Sequence, residues 1–176
     1  MKQALLAIDL NNDHVYHDKP FNAERLRSKI PNLVSAVQYA RAHDIPIVHV
    51  TCAHPPNDAI FTPELCEPHA IRGSEGAEII EELKPRSGDY VVHKRRFSGF
   101  YGTDLDLYLR ELGVESVILV GGQTHTSIRY TAVDAYQLRY RPMILRDCVD
   151  SCTQEFNDRT LDELFFCKVS RLSEIA

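Results

Sequence analysis

The sequence has no extended basic run. Apart from the short segment His93-Lys94-Arg95-Arg96 its lysines and arginines are scattered, and the formal net charge is −5. That excludes the concentrated positive surface on which nucleic acid binding depends. No apolar stretch approaches the ~18 residues of a membrane span, and no charged segment followed by a long apolar core opens the chain. Neither nucleic acid nor membrane is an expected partner. The five cysteines, Cys52, Cys66, Cys148, Cys152 and Cys167, are an odd set without the compact spacing of a disulfide framework. They read as reduced thiols, and a cytoplasmic protein is expected. Internal repeats, low-complexity tracts and linkers are also missing, so the 176 residues are expected to form one domain, 1–176.

What is present is ordinary globular composition, with 44% hydrophobic and 26% charged residues. Short apolar runs alternate with segments of helical spacing, the signature of a parallel sheet covered by helices. The runs at 3–9, 45–51, 89–94, 116–121 and 142–147 read as strands, and Lys168–Ile175 adds a short edge strand. The spacing predicts helices over 23–43, with Pro31 kinking or restarting it, and over 74–84, capped by Ser74. Further helices are predicted over 103–113, from Thr103 to a stop at Gly113, and over 125–139 and 158–167. Residues 52–73, with Pro55, Pro56, Pro63 and Pro68, have no period and read as a long loop of the kind that carries function.

Three polar residues stand at or just beyond the carboxyl ends of these strands. Asp9 closes the first, Lys94 the third, and Ser127 follows the fourth. In an open parallel sheet, ligands bind beyond the strands' carboxyl ends. An acid, a base and a hydroxyl from remote parts of the chain are therefore expected to meet in one cleft.

Segments from Ala7-Ile8-Asp9-Leu10 through Gly88–Gly122 to Gln123–Tyr136 resemble the isochorismatase-like cysteine hydrolases, in order and spacing over about residues 3–150. The middle block is the most specific: a strand-end Lys94, then Phe97-Ser98-x-Phe100-x-x-Thr103-x-Leu105, then a strand ending in glycine. The resemblance implies a three-layer α/β/α sandwich around a mostly parallel, six-stranded Rossmann-like sheet, and a homo-oligomer of two or more chains. It implies that Asp9 and Lys94 are catalytic, and it puts Ser127 where the family's hydrolases carry a nucleophilic cysteine. A non-proline cis peptide at Gly122–Gln123 is implied as well. Substrate contacts would come from Gly122, Gln123, His125, Thr126 and Phe97, with the Thr126 and Ser127 backbone N–H groups placed to stabilise an oxyanion.

Serine at 127 leaves the reaction open. An alcohol is several units less acidic than a thiol, and a carboxylate is a poor base for it. One reading keeps Asp9 as general acid/base and Lys94 as its electrostatic partner in a hydrolase of small polar or carboxylated molecules, cleaving a vinyl ether or a C–N bond. Retention of His125 tilts that reading toward acid-assisted ether hydrolysis. A second reading is an amidase or nicotinamidase-like enzyme whose cysteine is replaced, by nature or by engineering. A third is a weakened member kept as a binding or assembly protein.

Cys52-Ala53-His54 and His69–Gly73 resemble the metal-binding segments of nicotinamidases, with Cys52 in place of an aspartate. Cysteine and histidine both suit zinc, but the expectation is no metal and no cofactor. Arg95 and Arg96 are candidates for a substrate carboxylate, His14 and His17 for the roof of the cleft. His93 is expected to point away.

Overall fold

The computed structural model describes residues 1–175. The apolar runs form β1 (Gln3–Ile8), β2 (Ile47–Cys52), β3 (Tyr90–Lys94), β4 (Ser116–Gly122), β5 (Arg141–Asp150) and the short β6 (Lys168–Ser170). Every ladder is parallel, in the order β3-β2-β1-β4-β5-β6. The chain starts in the middle, builds outward to β3, then returns beside β1 and builds the other way. The reversal between β1 and β4 opens a crevice at their carboxyl ends.

Alternation along the strands divides the core in two. Ala4, Leu6 and Ile8 of β1 join Val117 and Leu119 of β4 on one face. They are covered by α4 (Leu105–Glu111), α5 (Arg129–Gln137) and α6 (Gln154–Glu163) through Leu105, Leu109, Ala132 and Leu161. Leu5, Ala7, Ile118 and Val120 face the other way. There α2 (Glu24–Arg27) and α3 (Ile30–Ala42) cover them with Leu26, Leu33 and Ala36, and α1 (Asn12–Val15) adds Val15. This is the expected α/β architecture. Each buried leucine or isoleucine contributes about 1.5–3 kcal/mol, and both faces of the sheet are used.

Several elements differ from the spacing-based expectation. The 23–43 helix divides into α2 and α3, with Pro31 in the first turn of α3. Residues 74–84 form two single 3₁₀ turns, Glu75–Ala77 and Glu81–Leu83, instead of a helix. Their backbone pairs with the chain leaving β1: Asn12 N–H donates to Glu78 O at 2.9 Å and Ile80 N–H to Leu10 O at 3.0 Å. Ser74 caps nothing and donates its hydroxyl to Ile71 O at 2.7 Å. Helix α4 starts later than Thr103. The last helix, α6, begins at Gln154 rather than 158, capped by Thr153 Oγ1, which accepts from Phe156 N–H at 3.1 Å. β5 runs on to Asp150, beyond the expected end at 147, and takes in Cys148.

Candidate active site

Asp9 turns the chain off β1 at φ +50°, in the left-handed region that aspartate enters more readily than most residues. Beside it, Gly121 of β4 adopts φ +112°, where a Cβ would lie 2.1 Å from the Ile8 carbonyl oxygen. Only glycine lets the two strand ends approach this closely. The Gly122–Gln123 peptide is cis, and a π-helical turn at Thr124–Ile128 then carries Ser127 back over β1. On the other side β2 and β3 end in register, with Cys52 opposite Lys94.

These four residues form one cluster. The buried Lys94 Nζ lies 2.8 Å from Asp9 Oδ2, 3.2 Å from Cys52 Sγ and 3.3 Å from Ser127 Oγ. It also donates to the Arg96 carbonyl at 3.1 Å. Asp9 Oδ2 accepts the Ser127 hydroxyl at 2.6 Å, and its Oδ1 accepts the Cys52 N–H at 3.1 Å. Burial alone would raise the Asp9 carboxyl. The Lys94 charge, helped by His14 and by hydrogen bonds from Lys94 and Ser127, outweighs it and holds Asp9 below the usual carboxylate value. Lys94 is moved up in turn, its burial outweighed by the Asp9 charge. The pair is ionised at neutral pH.

Asp9, Lys94, Ser127, Cys52, Gln123, Thr126 and Phe97 line one small cavity of about 40 Å³. Gly122 and His125 do not. His125 turns outward, stacking on Phe156 at 5.1 Å, and its Nδ1 meets Ser151 Oγ at 2.9 Å. Phe97 is braced by Tyr130, stacked at 5.5 Å. Of the two expected oxyanion donors, Thr126 N–H is already given to the Gln123 carbonyl at 3.2 Å. The Gln123 side-chain oxygen is buried in the cavity wall without a hydrogen-bond partner among the described residues.

The 52–73 loop supplies the roof. His54, His69 and, from α1, His14 stand edge to face, with ring centroids 5.2 Å apart in both His14–His69 and His54–His69. Burial lowers His14 to about 4 and lowers His54 as well, so both are neutral. His17 lies outside, paired with Asp13 at 2.8 Å. His93 is exposed and faces away from the cavity.

Asp58, which no pattern in the sequence singled out, is buried beneath the mouth. Its carboxylate takes Arg95 Nε at 2.8 Å and Arg96 Nη1 at 3.1 Å, and His54 Nδ1 at 3.1 Å. The Arg95 hydrogen bond is the main reason its carboxyl is held far below the usual range. Lys94 is matched by Asp9, but Asp58 matches only one of the two arginines, so the mouth carries excess positive charge.

A metal does not fit this donor set. Cys52 Sγ is turned to the Lys94 ammonium, a cation where a second cation would have to sit. Among the described residues no three His, Cys, Asp or Glu side chains are grouped to hold an ion.

Comparison with known proteins places this arrangement. A sequence model of the isochorismatase domain matches residues 3–174. The chain belongs to the isochorismatase family. An isochorismatase-like hydrolase from Alkaliphilus metalliredigens superposes with a TM-score of 0.94 at 38% identity, over 99% of this chain and 97% of that one. The N-carbamoylsarcosine amidase of Thermoplasma acidophilum superposes with a TM-score of 0.88 at 29% identity, over 97% and 96% of the two chains. Ureidoacrylate amidohydrolase RutB of an Enterobacter species is 30% identical over 97% of this chain and 86% of that protein. As in other members of this isochorismatase family of hydrolases, six parallel strands are flanked by helices. No helix among the described residues is long and apolar enough to cross a membrane.

Proposed function

We propose that the protein hydrolyses a C–N bond, of amide or ureido type, in a small carboxylated molecule. The observation that carries this reading is the Asp9–Lys94 contact of 2.8 Å, which keeps Asp9 ionised. Protonation of a vinyl ether needs Asp9 as an acid, and a carboxyl held below its usual value is a weak candidate at neutral pH. A carboxylate in the same place serves as a base, and the amidases and amidohydrolases among the relatives favour that use.

Two features support the substrate class. The excess positive charge of Arg95 and Arg96 at the mouth suits a carboxylate. The unpaired Gln123 oxygen offers an acceptor to a substrate N–H, since an unmet buried acceptor costs about 1–3 kcal/mol. The cavity of about 40 Å³ restricts what reaches Asp9 to a small group. In this reading Lys94 keeps Asp9 ionised, and Ser127, in the family's cysteine position, holds the carboxylate and the attacking group in place. Thr126 and Phe97 line the substrate. Exposed Tyr130, Tyr136, Phe156 and Phe165 support a homo-oligomer.

The test is a panel of N-carbamoyl amino acids, small carboxylated amides and carboxylated vinyl ethers, with Asp9→Asn as control. Turnover of a carbamoyl or amide member, lost in Asp9→Asn, is expected. Turnover of vinyl ethers alone, or ligand-induced thermal stabilisation with no turnover, overturns the proposal, the latter in favour of a binding protein.

A further inference from the structure

We infer that the covalent nucleophile of this cavity is Cys52, at the end of β2, and not the residue at 127. The inference rests on the C–N hydrolysis proposed above. Two candidate nucleophiles flank the same Lys94–Asp9 pair: Cys52 Sγ at 3.2 Å and Ser127 Oγ at 3.3 Å from Lys94 Nζ. Both line the cavity. Their placement is not accidental in the fold, because the parallel register of β2 and β3 sets Cys52 directly opposite Lys94.

Chemistry separates the two. The Ser127 hydroxyl already donates to Asp9 at 2.6 Å, but an alcohol is a poor partner for a carboxylate base. Sulfur is intrinsically the stronger nucleophile. Burial, then the charge of Asp9, push the Cys52 thiol up to about 12. The resting sulfur is therefore protonated, and attack requires a base. Asp9 is that base, one oxygen bonded to the Cys52 N–H and the other to the ammonium that also touches the sulfur.

The steps balance. As Sγ bonds to the carbonyl carbon, the thiol proton passes to Asp9 and Lys94 faces the sulfur. The C–N bond then breaks, the amine leaves with the proton from Asp9, and a thioester remains on Cys52. Water adds to the thioester carbon and gives a proton to Asp9. The C–S bond breaks and the sulfur recovers its proton. One C–N bond and one water become an acid and an amine, with nothing oxidised or reduced.

A measurement without substrate comes first. Iodoacetamide alkylation of the native protein, followed by peptide mass spectrometry, compares Cys52 with Cys66. Both line the cavity, Cys66 is the more exposed, and only Cys52 has a cation beside it. Cys52 labelling at pH 7 is expected to slow at least tenfold in Asp9→Asn, with Cys66 unchanged; a Cys52 rate unaffected by Asp9→Asn overturns the inference. On any turned-over member of the amide panel, Cys52→Ala is expected to cost at least 1000-fold, and more than Ser127→Ala, which removes a hydrogen bond to Asp9 but not the attacking atom. Cys52→Ser, which keeps the size of the side chain, is expected to fall with Cys52→Ala, and circular dichroism melts check that each variant is folded. Loss in Ser127→Ala with activity kept in Cys52→Ala overturns the nucleophile but leaves the reaction standing. Activity kept in Asp9→Asn overturns Asp9 as the base, and no turnover of any amide or carbamoyl member by the unaltered protein overturns the reaction itself.

Discussion

Lys94 Nζ and Asp9 Oδ2 lie 2.8 Å apart although β3 and β1, which deliver them, are not neighbours in the sheet. The lysine crosses the end of β2 to reach the carboxylate, and both side chains are buried. A buried pair of this kind is costly to break from one side. Lys94→Met leaves a lone buried carboxylate and is expected to destabilise the fold by about 3–5 kcal/mol at pH 7. With the ammonium gone, burial raises the Asp9 pKa above its unfolded value, so the stability deficit shrinks as pH falls toward 4. Asp9→Asn/Lys94→Met is expected to be more stable at pH 7 than Lys94→Met alone. Urea melts at pH 7 and pH 4.5 check both statements; a deficit that grows on acidification contradicts them.

The His14 imidazole, lowered to about 4 by burial, gives a second pH signature. The unfolded chain binds this proton below about 6.5, the folded chain only below about 4. Between those values the unfolded state holds one more proton, so stability falls as pH decreases, by about 1.4 kcal/mol per unit for this group. His49 and His54 are lowered in the same direction. His14→Gln is expected to remove about one proton from the slope of unfolding free energy between pH 6 and 4.5. An unchanged slope counts against a buried neutral His14.

Gln123 separates binding from stability. Its unpaired oxygen makes Gln123→Leu neutral or stabilising, by up to about 1 kcal/mol, because an unmet acceptor disappears. The same change is expected to weaken turnover of an amide or ureido substrate by about tenfold to a hundredfold, mainly through KM. A melt and a kinetic assay on one variant test both directions. Equal losses in both would mean that Gln123 is merely structural.

Gly121 tests the crevice. A Cβ there meets the Ile8 carbonyl oxygen at 2.1 Å, whereas one at Gly113, also at positive φ, meets nothing within 4 Å. Gly121→Ala is expected to cost at least about 3 kcal/mol, from overpacking added to backbone strain. Gly113→Ala carries only the strain, about 1–2 kcal/mol. Similar costs for the two, measured in urea, contradict the close approach of β1 and β4.

Much of this architecture was legible in the sequence, for identifiable reasons. Strands buried on both sides have continuous apolar runs, so β1 to β5 stand out, and the polar residues ending them mark the crevice. The 74–84 segment misleads because its glutamates, Ala77 and Leu83 favour a helix, while the structure spends its backbone on the strand-like pairing of Asn12 with Glu78 and Ile80 with Leu10. The start of α6 was hidden by polarity, although Thr153 with Glu155 in the first turn is a capping signal. Asp58 is one acidic residue in an aperiodic loop, and only the folded loop brings it under Arg95 and Arg96. Cys52 invited a metal-ligand reading because of His54 two residues on. Its contact with Lys94 depends on a strand register that no local pattern states.

The central claim is that the carboxylate facing this cavity is a base at working pH. A ¹³C-carboxyl NMR titration, with the Asp9 signal assigned by comparison with Asp9→Asn, tests it without knowledge of the substrate. Asp9 is expected to show no titration between pH 5 and 8 and to begin protonating only below its ordinary value of about 3.9. A midpoint above pH 6 would make Asp9 a proton donor instead, and would contradict the account.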